Sequence, residues 1–75
     1  MKTSQDKIGK QVKEARERVK PRLSRQEFAK RLKAAGLDVT PAAIVEIEAG
    51  HRSLNYYQIS VIASVLDTTV NQILS

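Results

Sequence analysis

The stretch that decides the fold runs from Leu23 to Gly50. It begins Leu23-Ser24-Arg25-Gln26-Glu27-Phe28-Ala29 and ends Thr40-Pro41-Ala42-Ala43-Ile44-Val45-Glu46-Ile47-Glu48-Ala49-Gly50. Ser24 to Glu27 has the form of a capping box: the serine side chain accepts from the Glu27 amide, and the Glu27 carboxylate reaches back to the serine amide. Phe28, Ala29, Leu32 and Ala35 follow as an inner face at helical spacing, and Gly36 suits a left-handed C-cap. Leu37-Asp38-Val39 is a short connector. Thr40 then stands at an N-cap with Pro41 at the first helical position, where its missing N–H is no loss. Ala43, Ile44 and Ile47 make the inner stripe of this helix, and Gly50 stops it.

Outward from this pair the pattern stays helical. Upstream, Ile8, Val12, Ala15 and Val19 recur at steps of four, three and four, one face of a helix that Pro21 closes. Downstream, His51-Arg52-Ser53-Leu54 is a loop and Asn55 caps a fourth helix with Tyr56, Ile59, Ile62, Ala63 and Leu66 as its buried stripe. Val61 and Val65 fall outside that stripe, which predicts cover on more than one side, within the domain or at an oligomer contact. Thr69 caps a last short helix carrying Val70, Ile73 and Leu74. No stretch alternates as a strand would. The expectation is an all-α, compact five-helix bundle in one domain, with helices at about 5–20, 24–35, 41–49, 55–66 and 70–75.

Composition narrows the function. A chain of 75 residues is one domain, burying only about 60% of its unfolded surface, with room for one core and none for a deep cleft. There is no cysteine, so disulfides and thiolate zinc sites are excluded, and the single His51 makes a metal site unexpected. No cofactor is expected. No Ser-His-Asp set or glycine-rich phosphate loop is present, so no enzyme is expected. No apolar run approaches the roughly 20 residues of a membrane span, and no signal-peptide pattern opens the chain; a cytoplasmic protein with no membrane partner is expected. Residues 1–33 hold twelve of the thirteen Lys and Arg with four acids, a net of +8, whereas 34–75 carry −3. One electropositive face suits a polyanion; the plainer reading is a solubilising surface.

The run Leu23 to Ala29 and the segment Ile44 to Gly50, continued through Arg52, Asn55, Ile62-Ala63 and Leu66 to Val70–Leu74, resemble the phage-repressor helix-turn-helix family, the group of lambda repressor and Cro. The resemblance covers about residues 8–74, with the motif at 23–50. It implies a sequence-specific duplex-DNA-binding transcriptional regulator, acting as a repressor. In such a motif the second helix lies in the major groove. Thr40, Pro41, Ala42, Val45 and Glu46 are then the base-reading positions: Ala42 and Val45 suit thymine methyls, and Glu46 can accept from cytosine N4. Ser24, Arg25 and Gln26 at the start of the preceding helix, with Arg52 and Ser53 beyond the reading helix, fall at phosphate-contacting positions, and His51 is either a solvated loop residue or a further phosphate contact. The resemblance also pairs Glu48 with an arginine of the first helix, Arg16 first and Arg18 second, and puts Tyr56 in the core with its hydroxyl at the rim. Tyr57 points outward. Lys2, Lys7, Lys10 and Lys13 form either an arm along DNA or a solvated face. The expected partners are double-stranded DNA and a second copy, through the C-terminal helices.

Two departures mark this chain. The stretch between Ala29 and Ile44 is longer than in compact relatives. The reading helix holds no Arg, Lys, Gln or Asn, the residues of the common bidentate base contacts. Two readings therefore stand: a site read through methyl groups, an acid and DNA shape, or a protein-interaction, antitoxin-like module on the same fold.

Overall fold

Capping chemistry sets the element boundaries. The structure, a computed structural model, describes residues 4–75. Five helices follow in order: α1 (Ser4–Arg18), α2 (Arg25–Ala34), α3 (Pro41–Glu48), α4 (Tyr56–Val65) and α5 (Val70–Leu74). No strand occurs among the described residues. The chain is an all-α five-helix bundle.

Four of the five starts use one device. Ser24, Thr40, Asn55 and Thr69 each sit in extended backbone and accept from the amide three residues on, satisfying one of the orphan donors of a helix start. At three of them an apolar residue precedes the cap and another follows four residues after it: Leu23 and Phe28, Val39 and Ile44, Leu54 and Ile59. All six pack in the core, the arrangement of a hydrophobic staple, which fixes the angle at which the chain enters the helix.

Three helix ends also share a device. After α2, the Gly36 amide donates to the Lys33 carbonyl and the Leu37 amide to the Leu32 carbonyl. After α3, Gly50 and His51 repeat this on Ile47 and Glu46, and after α4, Asp67 and Thr68 repeat it on Ser64 and Ala63. Each is a Schellman closure, which needs a left-handed residue. Gly36 and Gly50 supply it at φ +100° and +80°, and Asp67 does so at φ 56° despite its Cβ.

The core gathers Val12 and Ala15 from α1, Leu23, then Phe28, Ala29 and Leu32 from α2, Leu37 from the connector, Ile44 from α3, Ile59, Ile62, Ala63 and Leu66 around α4, and Ile73 from α5. α1 packs on α3 and α5, α2 on α3 and α4, and α4 on α5. The radius of gyration, 11.0 Å, agrees with about 11 Å for a domain of this length. Val61 and Val65 are half-buried against the core, so α4 is covered on a broad front.

Several expectations need correction. Tyr56 is not in the core; it is 71% exposed. It occupies the first turn of α4, and Leu54, just before the cap, supplies the apolar group that packs there instead. Ala35 is exposed, because it is the C-cap of α2 and lies beyond the last turn that faces the core. The Ser24 box is half made: Ser24 Oγ accepts from the Glu27 amide, but the Glu27 carboxylate takes Arg31, one turn on, at 3.5 Å. The reciprocal box forms instead at Asn55 and Gln58. α1 stops at Arg18, short of Pro21.

Gly9, on which the sequence reading placed no weight, sets how close α1 comes to α3. A Cβ there would be driven into the Ile47 carbonyl oxygen and lie 3.0 Å from that of Glu48. Alanine's propensity gain over glycine, about 1 kcal/mol, is outweighed by displaced main chain, so Gly9→Ala should lower stability by about 1–3 kcal/mol. Asp67→Gly should raise it by about 0.5–1 kcal/mol by removing left-handed strain. Urea unfolding followed by circular dichroism measures both.

Candidate functional site

α3 is short and two-sided. Ala43, Ile44, Ile47 and Glu48 are buried, and Pro41, Ala42, Val45 and Glu46 are exposed, with Thr40 exposed at the cap. At 100° per residue the outward four fall within one arc. Val45 leaves 47% of its surface exposed, the one large apolar side chain of α3 to do so. The outer face is thus small, apolar and singly charged.

Its flanks are polar. At the start of α2, Ser24 and Gln26 are exposed and Arg25 is half-buried; beyond α3, His51, Arg52 and Ser53 are all exposed. The six candidate phosphate-contacting residues are therefore reachable from solvent on two segments adjoining α3.

Beneath them lies a charged junction. Glu48, at the buried end of α3, accepts from Arg16 Nε at 2.7 Å and Arg16 Nη2 at 3.3 Å. Arg16 Nη1 donates to the Leu23 carbonyl at 2.8 Å. Arg25 then donates from Nε to the same carboxylate at 3.0 Å. One carboxylate so joins α1, α3 and the start of α2, and the Leu23 carbonyl ties in the segment between α1 and α2. The side chains of Arg16 and Glu48 are 6% and 3% exposed, that of Arg25 is 39%. No buried side-chain polar atom among the described residues lacks a partner. Arg18, the other first-helix candidate for Glu48, faces outward and meets Glu14 at 3.9 Å.

Glu48 thus has a second partner, Arg25, that the sequence did not suggest. The signal was present only as spacing in three dimensions: Arg25 and Glu48 are 23 residues apart. A similar pairing restrains the other flank. Arg52 Nη1 lies 3.5 Å from Glu46 Oε1 with both side chains more than half exposed. Across the chain every arginine meets a carboxylate, adding Arg22 to Glu17 and Arg31 to Glu27. No described lysine pairs with a described carboxylate. The excess positive charge is carried by Lys7, Lys10, Lys13, Lys20, Lys30 and Lys33, all exposed. Of the lysines considered for an arm, Lys2 lies outside the described residues.

Among the described residues, no group of three or more His, Cys, Asp or Glu is placed to hold a metal ion, and no helix is long and apolar enough to cross a membrane. The chain matches no protein-family model, no curated protein and no solved structure.

Glu48→Gln should cost about 3–5 kcal/mol, because it strands the buried Arg16 guanidinium. Replacing both partners, Arg16→Met with Glu48→Leu, should cost less than Glu48→Gln alone, since no charge is then left buried and unpaired. Chemical denaturation of the two variants decides the order.

Proposed function

We propose that this chain is a sequence-specific duplex-DNA-binding transcriptional regulator, a repressor-type domain in which α2 and α3 form the helix-turn-helix resembled by its sequence. One observation carries the reading. The outward face of α3 offers all five candidate reading positions to solvent, and two polar segments lie near the C-terminal end of that helix, one through the Arg25–Glu48 contact and one in the chain just beyond it. A helix presented in this way suits the major groove, which admits one α-helix. Its flanks suit phosphate, which supplies affinity and register but no sequence information.

In this reading Ala42 and Val45 pack on thymine methyls, and Glu46 accepts from a cytosine amino group. The Glu46–Arg52 pair has a purpose on such a surface. An unpaired carboxylate beside phosphates is repelled, and Arg52 offsets that repulsion until the base donor replaces it. Arg25 is held on Glu48 at the start of α2, oriented before any phosphate arrives. Leu74, 44% exposed at the end of α5, offers a contact for a second copy. Two-fold pairing there would set two reading helices ~34 Å apart on a palindromic site. A cytoplasmic location follows from this function.

A second reading rests on Val45. An exposed apolar residue beside Pro41, Ala42 and Glu46 is also the makings of a protein contact, as an antitoxin-like module on the same fold would need. A pull-down that recovers one protein partner and no DNA would favour it.

Selection of bound sequences from a random duplex pool tests the first reading directly. An enriched palindrome is expected, and no enrichment above the starting pool would sink it. On the selected duplex, Arg52→Ala should weaken binding to all sequences alike and make the log affinity against log salt slope shallower by about 1. Glu46→Gln should instead lose about 1–3 kcal/mol of discrimination at the base it reads and bind unrelated duplexes more tightly. Titrations at several salt concentrations separate the two effects.

A further inference from the structure

A cleft of about 380 Å³ opens between the second half of α1 and the start of α2, and none of the outward residues of α3 lines it. Its wall is mostly cationic: Lys13 and Arg22 on the rim, Arg25 beside them, and the buried Arg16 beneath, with Glu17 the one carboxylate in the lining. The carboxylates do not use up these charges. Glu17 is taken by Arg22 at 3.0 Å, and Glu48 is shared by Arg16 and Arg25 at 2.7 and 3.0 Å. Four cations therefore face two acids, and Lys13 has no carboxylate partner among the described residues. Arg22 keeps 72% of its side chain exposed and Arg25 keeps 39% while paired, so both guanidiniums retain N–H groups directed to solvent. Ser24 lines the same cleft. Its Oγ accepts from the Glu27 amide, which leaves the hydroxyl proton to donate.

We propose that this cleft is a binding site for a phosphate group, held by Lys13, Arg22 and Arg25 with Ser24 as a neutral donor. The chemistry fits a tetrahedral dianion or a diester: the remaining N–H groups of two part-paired guanidiniums and one ammonium, approaching from different segments as charge-assisted donors. A carboxylate ligand would leave the donors in excess. The site shares Ser24 and Arg25 with the proposed duplex-binding face, but Lys13 and Arg22 lie outside the helix-turn-helix contacts, and phosphate binding here does not require α3 to read bases. The phosphate has two possible sources, a duplex backbone and a free phosphate such as a nucleotide's.

Amide shifts on titration of the full chain distinguish them. One arm uses inorganic phosphate at constant ionic strength against chloride; the other uses a short duplex at low salt. Saturable shifts at Lys13, Arg22, Ser24 and Arg25 are expected in at least one arm. Movement with the duplex alone identifies a backbone diester, and movement with phosphate alone identifies a free anion. The variant Lys13→Gln with Arg22→Gln removes two exposed side chains from the rim, and it should keep the wild-type urea midpoint. It should weaken binding about tenfold in the responding arm, and if that arm is the duplex its salt slope should fall by about 1. The proposal is overturned if neither arm moves these amides, or if the double variant binds as the wild type does. Shifts in the cleft without shifts at residues 40–46 would leave the phosphate site standing and count against base reading by α3.

Discussion

The fold depends most heavily on one carboxylate. Glu48 sits at the end of an eight-residue helix with two guanidiniums on it, one from α1 and one from the start of α2. α3 is too short to hold its own orientation by propensity, since isolated helices under about 12 residues are marginal. Its angle must come from what grips its two ends. At its start the grip is apolar, through Val39, Ile44 and the Thr40 cap. At its end it is ionic, through Arg16 and Arg25. Burying such a group is not an economical route to stability, because desolvation offsets most of the Coulomb gain. Its return is geometric: apolar contacts can slide, whereas a carboxylate shared by Arg16 and Arg25 holds one arrangement of three elements.

Much of this fold was legible in the chain because its information is local. Caps, staple residues and closing glycines act within five or six positions, so Ser24, Thr40, Asn55, Gly36 and Gly50 could be read directly. The misreadings came where local rules compete or where distant segments meet. Tyr56 has the right spacing for the core of α4, but a side chain on the first turn reaches the core only if nothing fills that place from outside the helix, and Leu54 fills it. Glu27 could serve the Ser24 amide or Arg31, and the charged partner one turn on prevailed. Gly9 has no sequence signature at all. Its importance arises from the main chain of α3, which lies about forty positions away.

The candidate site divides in the same way. The outward residues of α3 followed from the period of the helix, once its inner stripe was identified. The pairing of the arginines did not, because Arg25 and Glu48 carry no mark of one another in the sequence. That pairing changes how the charge should be understood. Each arginine meets a carboxylate, although Arg22 and Arg25 keep part of their side chains exposed, and the exposed lysines carry the excess positive charge. Under the proposed function, long-range attraction to a polyanion would come mostly from the lysines and weaken with salt as exposed charges do, while close contact would draw on guanidiniums already held in place.

The seat of Gly9 on α3 has a further consequence. With α1 pressed on the main chain at one end of α3, and the Schellman turn at Gly50 lying against Asp6, α3 cannot tilt without carrying α1 along. The outward face is therefore a fixed template, with little freedom to re-aim its small side chains. If α3 reads a duplex as proposed, accommodation would have to come from the DNA: a site that bends or widens easily would meet α3 at little cost, and a stiff one of the same chemistry would be rejected. Selectivity for deformability would then belong to the protein's rigidity, and would survive substitutions of the residues in contact.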